Sequence, residues 1–332
     1  MAETLSSRPA GVGLRALFRA AVLDPATKPL TGFDIAFRIA PRINAAGRMD
    51  IASEVIELFC TRDAARATEL ANKLERLNRE RRDAEAAALA RIEERLQAEA
   101  ELSSDRLLLI AGDSWHRGVI GILASRVVER TARPAIVVSI EDGVAHGSGR
   151  SVDGFALLGA IESCADLFTR FGGHAFAIGF AMPAASLPEL RRRLRDYAAI
   201  HLAAHVPERL LRIHAELSLD RITPVLAGWL RKLEPLGHGN PEPLFVARCA
   251  QVVTGPRVMK DRHLRLELSH HPGGSAASGA VRAVGWNLAA RAAELGLAQG
   301  SVIDVVYRIR ENDHPAYGGL EVEIVGIEPP ES

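Results

Sequence analysis

Three short segments of the sequence combine glycine with side chains that bind anions. In the first, FGGHAFAIGF, Gly172, Gly173 and His174 stand where a helical segment is predicted to meet an apolar strand. Glycine lets backbone N–H groups approach a ligand closely, and the imidazole adds a polar group beside them. The segment suits a phosphate, but taken alone a plain tight turn with a hydrogen-bonded histidine is the simpler interpretation.

The second segment, AHGSGRS, carries Ser148, Arg150 and Ser151 among small residues. One guanidinium and two hydroxyl groups can converge on an oxyanion here, because no bulky side chain stands in the way. This second group of polar side chains favours the phosphate interpretation of the first segment.

The third segment, WHRGVIG, follows an apolar run at residues 107–111 and opens an amphipathic stretch, with Arg117 near its start. The pattern predicts a turn between a strand and a helix. Ligands usually bind at such turns in α/β proteins, so the three segments together predict an anion site.

In this order, the three segments resemble the DHHA1 domain of RecJ-type single-stranded-DNA exonucleases. The similarity extends both ways along the chain. FRIAPRINAAGRMD, residues 37–50, looks like the segment that follows the catalytic domain of that family, and LGHGNPEPLF, residues 236–245, is similar to the start of its OB-fold domain. The resemblance covers roughly residues 11–328.

The resemblance implies a 5′-to-3′ exonuclease of DNA repair and recombination whose partner is single-stranded DNA. It assigns Arg48, Ser148 and Arg150 to a pocket for the 5′-terminal phosphate, a role that suits the planar fork of arginine. For Arg48 an ion pair between domains is the alternative. The resemblance also assigns Gly172, Gly173 and His174 to the nucleotide path close to the metals. With Arg117 and Ser151, which come from the segments themselves, the predicted phosphate- or DNA-binding residues are Arg48, Arg117, Ser148, Arg150, Ser151, Gly172, Gly173 and His174.

The same resemblance implies that the family's chemistry lies outside this sequence. RecJ-type enzymes hold two divalent metals, Mn²⁺ or Mg²⁺, on aspartates and histidines of an N-terminal DHH domain. This sequence has no Asp-His-His triplet, and its opening residues, MAETLSSRPAGVGLRAL, correspond to the end of that domain. We therefore expect no catalytic residue and no metal ligand in this chain.

Two hypotheses about function follow from that expectation. A DHH domain in the same polypeptide or in trans would complete the exonuclease, with repair or replication proteins as further candidate partners. The alternative is a catalytically inactive nucleic-acid-binding or scaffold module.

Composition limits where nucleic acid can bind. The sequence has 41 basic and 41 acidic residues, so its net charge is zero and binding requires local basic patches. The arginines at residues 191–195 are most simply a solvated helix face. Lys260 and Arg262 lie between predicted barrel strands, where an ordinary loop and a contact with a phosphate backbone are equally good interpretations.

Aromatic side chains that could stack on bases are few, at 5% of the chain. Trp286 and Tyr307 lie in predicted strands, where an aromatic side chain more often belongs to the core. Tyr317 lies in a predicted turn and is the best candidate for exposure.

The cysteine pattern and the lack of targeting segments indicate a cellular compartment. Three cysteines without a Cys/His cluster predict a reducing environment and no zinc site. The sequence contains no signal-like segment and no apolar run of membrane-spanning length, so we expect a cytoplasmic protein.

The pattern of predicted helices and strands that must position these groups indicates an α/β fold in four parts. Residues 1–60 would be the remnant that follows a DHH domain, and residues 61–102 a long connector helix. Residues 103–206 would form a mixed-sheet α/β DHHA1 domain, and residues 207–332 a β-barrel OB-fold domain. The predicted strands are residues 107–111, 135–140, 145–148 and 175–181 in the sheet and 244–253, 264–268, 281–286, 301–309 and 320–327 in the barrel.

The predicted connector lacks glycine and proline, and a narrow apolar stripe interrupted by Arg81 runs along it. Such a stripe suits a helix that lies against one neighbour. A coiled-coil dimerisation arm is the alternative. Upstream, Pro41 is expected to break any helix before a turn at residues 44–48.

Overall fold

The computed structural model describes most of the chain. The described residues are 11–27, 30–49, 52–99, 102, 104–113, 115–202, 211–237, 239–270, 279–312 and 318–330. The chain divides into two compact units, residues 1–210 and 211–332, and the finer four-part division stays a prediction. Among the helices in these described ranges, none combines the length and the apolarity needed to cross a membrane.

The predicted long helix is present as α4, Ala64–Ala98. It begins where the carboxylate of Asp63 accepts the backbone N–H of Ala65 over 2.8 Å, a typical N-cap for aspartate. Its apolar stripe is buried within the first unit: Leu74 packs with the N-terminal helices, and Ile92 packs with the sheet and its helix. The chain's own elements therefore cover the stripe, and the role of this helix as a connector between domains stays a prediction.

Shorter helices pack against the first half of α4. Those described are α1, Val12–Ala20, α2, Ala40–Met49, and α3, Ser53–Cys60. The prediction that Pro41 breaks the helix is wrong, because Pro41 is the second residue of α2 and a π-helical segment, Asp34–Ile39, leads directly into it. The wider π-helical turn accommodates the proline ring and the missing N–H. Residues 44–48 are therefore helical, and Arg48 lies near the C-terminal end of α2.

A mixed sheet forms the rest of the first unit, as predicted. Its described strands are β1, Leu108–Asp113, β2, Ala135–Glu141, β3, Val144–Arg150, β4, Arg170–His174, and β5, Ala177–Pro183. Their order is β1-β2-β3-β5-β4, with β1 and β2 parallel and the other neighbours antiparallel. Strand β4 was not predicted.

Helices cover the two faces of this sheet unequally. They are α5, Arg117–Thr131, α6, Leu157–Glu162, and α7, Leu187–His201. On one face, α6 and α7 bury a core in which Ile136 and Phe180 pack with Leu194. On the other face, α4 and α5 cover β1 and β2, where Val137 packs with Leu123. Every residue of β4 is exposed, which leaves the β5 and β4 side of the second face open.

The second unit is a closed barrel, as predicted. Its described barrel strands are β7, Phe245–Met259, β8, His263–Ser269, β9, Val281–Gly285, β10, Val302–Asn312, and β11, Gly319–Glu328. The barrel closes because β10 pairs with both β11 and β7, and β9 pairs in parallel with β11. This is the strand order of an OB-fold.

Smaller elements complete the second unit. They are β6, Ala215–Glu216, α8, Pro224–Arg231, and α9, Ala289–Glu294. Tyr307 is fully buried in the barrel core, and its hydroxyl donates to the Leu217 carbonyl over 2.8 Å. Tyr307 therefore belongs to the core and is not available to stack on bases. Its burial also raises the pKa of its hydroxyl group.

Candidate nucleic-acid interface

Strand β3 sets Ser148 and Arg150 side by side on the face that α5 partly covers. The two residues alternate with Gly149 along an extended strand, so their side chains leave the same face. Arg150 Nη1 donates to the Ser148 hydroxyl over 3.3 Å and to the Gly149 carbonyl over 2.8 Å. A Cβ atom at Gly121 of α5 would lie 3.2 Å from Ser148 Oγ and 3.3 Å from Arg150 Nη2. The missing side chain at Gly121 therefore leaves room around this pair.

A third polar group reaches this place from α2. Arg48 donates from Nη1 to the backbone carbonyl of Gly118, near the start of α5, over 3.2 Å. The two helices pack closely, since a Cβ atom at Gly118 would overlap the carbonyl of Arg48. Over the described residues Arg48 has no carboxylate partner, so the ion pair considered for it is not formed there. We call Arg48, Ser148 and Arg150 the phosphate pocket, after the ligand that the sequence analysis predicts for them.

The guanidinium of Arg150 is partly buried without a counter-charge. Burial lowers its pKa below the ordinary value, and the positive charge of Arg48 lowers it further. Arginine stays protonated in proteins, so the lowered pKa reflects a cation in an unfavourable place. In the part of the chain that the structure describes, no carboxylate pairs with Arg150. An anion bound in the phosphate pocket would supply the missing negative charge.

Strand pairing brings the FGGH segment to the same face as the phosphate pocket. Residues opposite one another in neighbouring strands share a face of the sheet. Two rows cross β3, β5 and β4 in that order: Ser148, Gly179 and Gly172, and beside them Arg150, Ala177 and His174. We call them the glycine row and the arginine row. Two segments that are separate in sequence therefore form one surface.

The FGGH segment is not the predicted junction between a helix and a strand. Its residues belong to the edge strand β4, which joins β5 through a two-residue turn at residues 175–176. Gly173 has a φ of 147°, and a Cβ atom there would overlap the Ala177 carbonyl, so glycine is required. At Gly172 nothing lies within 4 Å of an added Cβ atom, so this position faces open space.

His174 is exposed at the β4 end of the arginine row. Its Nδ1 accepts the backbone N–H of Phe176 over 3.3 Å. In the neutral ring the proton is then on Nε2, which can donate to an anion.

Ser151 and Arg117 make their contacts away from the phosphate pocket. The Ser151 hydroxyl donates to the Phe155 carbonyl over 2.6 Å and so stabilises the loop after β3. Arg117 pairs with Glu141 over 2.7 Å. The structure therefore does not bring these two predicted residues together with Arg150.

The barrel has a second surface with basic and aromatic groups. Lys260 and Arg262 are exposed in the turn between β7 and β8, as predicted. Trp286 is 53% exposed. Its ring and that of His263 are nearly perpendicular, with their centroids 5.0 Å apart. Tyr317 lies outside the described residues.

Two depressions adjoin on this barrel surface, and Arg265 lines both. One, of about 490 Å³, is also lined by Trp286, Val284 and Arg310. The other, of about 300 Å³, is also lined by Arg257. We call the surface formed by Arg257, Lys260, Arg262, Arg265 and Trp286 the barrel face. It combines charge with one aromatic ring, as surfaces that bind single strands do.

The arginines at residues 191–195 are occupied by carboxylates. Arg192 pairs with Glu189 over 2.8 Å and with Asp196 over 3.0 Å. Arg195 pairs with Asp105 over 2.7 Å. Of these arginines only Arg192 is exposed, and Arg191 is half-buried and donates to the Leu109 carbonyl over 2.7 Å. The prediction of a solvated helix face therefore fits Arg192, whereas Arg191 and Arg195 bind α7 to β1 and Asp105.

Two protein families have models that match the chain. The DHHA1 domain matches residues 104–199, and the RecJ OB domain matches residues 213–325. The chain belongs to the RecJ family. The single-stranded-DNA-specific exonuclease RecJ of Dickeya dadantii is 36% identical over 277 residues, which are 79% of this chain and 46% of that protein.

A RecJ crystal structure matches nearly the whole chain. RecJ from Thermus thermophilus in complex with Mn²⁺ aligns with a TM-score of 0.78 and 33% identity, over 97% of this chain and 44% of that one. The chain thus spans less than half the length of these RecJ relatives.

RecJ structures from Thermus thermophilus hold Mn²⁺ or Mg²⁺. Among the described residues of this chain, no group of three or more His, Cys, Asp or Glu side chains lies together in a way that could hold a metal ion. The donor set of these residues does not fit a divalent metal.

Arg81 of α4 is a partly buried cation that the sequence revealed only as an interruption of an apolar stripe. Its side chain is 13% exposed and donates to Glu85 over 3.0 Å and to Asn78 over 3.2 Å. Burial lowers the pKa of Arg81, and the charge of Arg48 also lowers it. A charged residue within a buried stripe was the signal that could have revealed this further cation near Arg48.

Proposed function

We propose that this chain binds the 5′ end of single-stranded DNA for a RecJ-type 5′-to-3′ exonuclease of DNA repair and recombination in the cytoplasm. The observation that supports this proposal best is the partly buried guanidinium of Arg150, which no described carboxylate neutralises. A cation in that position gains most from a ligand that is itself an anion.

A terminal phosphate suits the pocket better than an internal phosphodiester does. Near neutral pH it carries between one and two negative charges, because its second pKa is about 6. The Arg150 fork can donate to two of its oxygens, while Arg48 and the Ser148 hydroxyl lie on the same face. His174, in the arginine row, is available to the nucleotide that carries the phosphate.

We propose a different role for the barrel face. Trp286 stacks on a base, while Arg257, Lys260 and Arg262 contact phosphates of the strand away from its end. Stacking and charge do not depend on sequence, so this face grips any single strand.

Hydrolysis belongs to a DHH domain, in the same polypeptide or in trans. Divalent metals held on that domain would supply the hydrolytic chemistry. This chain's part is to bind and orient the strand.

Binding and degradation by the purified chain test this proposal together. Two internally labelled strands of one sequence, with a 5′-phosphate or a 5′-hydroxyl, are incubated with the chain and Mn²⁺. We expect tighter binding of the phosphorylated strand and no degradation of either. Equal binding of both ends would contradict the phosphate pocket and favour a nucleic-acid-binding scaffold. Processive degradation would contradict the separate metal domain.

A further inference from the structure

The open sheet face continues beyond the phosphate pocket. A third row crosses β3, β5 and β4 on this face: His146, Ala181 and Arg170. We call it the histidine row. Rows two residues apart along a strand are separated by about 7 Å, so the arginine and histidine rows are about 13 Å apart, with the glycine row between them.

The histidine row carries excess positive charge. Arg170 is exposed, and no carboxylate pairs with it within the described residues. Burial lowers the pKa of His146, and Arg117 and Arg170 lower it further, so both cations lie near the imidazole. Glu141 is the neighbouring acid, and it already pairs with Arg117 over 2.7 Å. An anion arriving at this row would meet a guanidinium without a partner.

Arg170 and His146 can act on one ligand. Their strands are separated only by β5, and adjacent strands lie about 4.8 Å apart, so the two backbones are about 10 Å apart. Between them stands Ala181, whose methyl group leaves the long Arg170 side chain free to lean across the sheet.

The space between the two charged rows is open. Gly179 and Gly172 carry no side chain, and a Cβ atom added at Gly172 would meet nothing within 4 Å. A sugar-phosphate chain that starts in the phosphate pocket can therefore lie flat against the strands as it crosses the glycine row.

We propose that Arg170, together with His146, binds a phosphate of the DNA strand inward from its 5′ end. This inference rests on the proposed function, because the strand must begin in the phosphate pocket. The distance between the rows exceeds what one nucleotide spans. The site therefore senses strand length and favours substrates that reach it over mononucleotides.

A length series tests the second phosphate site. Thymidine oligomers with a 5′-phosphate, from mononucleotide to hexanucleotide, are titrated into the parent chain and into Arg170→Ala. In the parent, affinity should rise once the oligomer is long enough to reach the histidine row. In Arg170→Ala this rise should be lost, with affinity for the longer oligomers about threefold to tenfold weaker and the salt slope reduced by about 1.

Two further variants sharpen the series. Gly172→Val places a side chain in the open passage, where an added Cβ atom meets nothing within 4 Å, and should weaken binding of the longer oligomers more than binding of the mononucleotide. Arg192→Ala is the matched control, because Arg192 is also an exposed arginine but lies on α7, against the opposite sheet face, and is paired with Glu189 and Asp196.

The series distinguishes failure of this inference from failure of the proposed function. If the parent binds thymidine and its 5′-monophosphate equally, the phosphate pocket is wrong and this inference fails with it. If the phosphate is preferred but Arg170→Ala binds every length as the parent does, the pocket stands and the second phosphate site is contradicted.

Discussion

The phosphate pocket and the barrel face both present arginine, but in different surroundings. In the pocket, Arg150 is partly buried, hydrogen-bonded to Ser148 and without a described carboxylate. On the barrel face, Lys260 and Arg262 are exposed, and beside the face Arg310, which lines the larger depression with Trp286, pairs with Glu323 over 2.9 Å.

Under the proposed function, this difference corresponds to two kinds of recognition. A fixed cation that lacks a counter-charge selects one strongly charged group, which is a strand end. Exposed cations interleaved with acids and an aromatic ring bind many positions weakly. We therefore expect substitutions in the pocket to act on end recognition, and substitutions on the barrel face to act on affinity for any strand.

The largest effect is expected for Arg150→Ala. Loss of a charge-assisted contact should weaken binding of a 5′-phosphorylated strand by about 1–3 kcal/mol. Fluorescence anisotropy at fixed salt measures it, with Arg192→Ala as the matched control. Unchanged affinity in Arg150→Ala would remove this residue from the pocket.

Trp286→Ala should have the next largest effect. Losing one stacked base should cost about 1 kcal/mol, equally for strands with a 5′-phosphate and with a 5′-hydroxyl. Trp229→Ala is the control, because Trp229 is also exposed, at 61%, but lies on α8 outside the depressions of the barrel face. Equal losses in both variants would contradict a stacking role for Trp286.

Arg262→Gln should act mainly through salt. Removing one phosphate contact lowers the slope of log affinity against log salt by about 1. Titrations over a range of salt concentrations measure the slope. Arg231→Gln is the comparison, since its guanidinium already pairs with Glu311 over 3.1 Å. If the slope of Arg262→Gln equals that of the parent, the turn between β7 and β8 does not contact DNA.

The smallest effect concerns stability and requires no DNA. Burial and Arg117 hold the pKa of His146 below its ordinary value of 6.5, so the unfolded chain takes up this proton at higher pH than the folded chain. Stability that is present above pH 6.5 should therefore fall as the pH drops toward the lower, folded-state pKa. Thermal melts should show a smaller fall for His146→Gln than for the parent, and an equal fall would contradict a lowered pKa of His146 in the folded chain.

Periodic patterns predicted the scaffold well. The barrel strands alternate apolar and polar residues, and the connector helix lacks glycine and proline, so local sequence determined both. The alternation could also have predicted the exposure of Trp286. In β9, Arg282 and Val284 lie on the side of the strand opposite the buried Ala283, and Trp286, two residues after Val284, lies on the same side as they do. The usual burial of aromatic side chains in strands instead favoured a core position for Trp286.

The remaining differences depended on tertiary context. Strand β4 contains two glycines and has no buried residue, so no apolar pattern indicated it, and only pairing with β5 makes it a strand. Pro41 fits inside a helix because of the π-helical turn before it. Ser151 and Arg117 were assigned by neighbourhood in sequence, whereas their hydrogen-bond partners Phe155 and Glu141 are set by the fold.

The most direct test of the account is the ratio of the dissociation constants for 5′-hydroxyl and 5′-phosphorylated strands, measured in the parent, Arg150→Ala and Trp286→Ala. The account predicts a ratio well above one in the parent, close to one in Arg150→Ala and unchanged in Trp286→Ala. A ratio that stays well above one in Arg150→Ala, or that falls equally in both variants, would contradict the division between end recognition on the sheet and strand binding on the barrel.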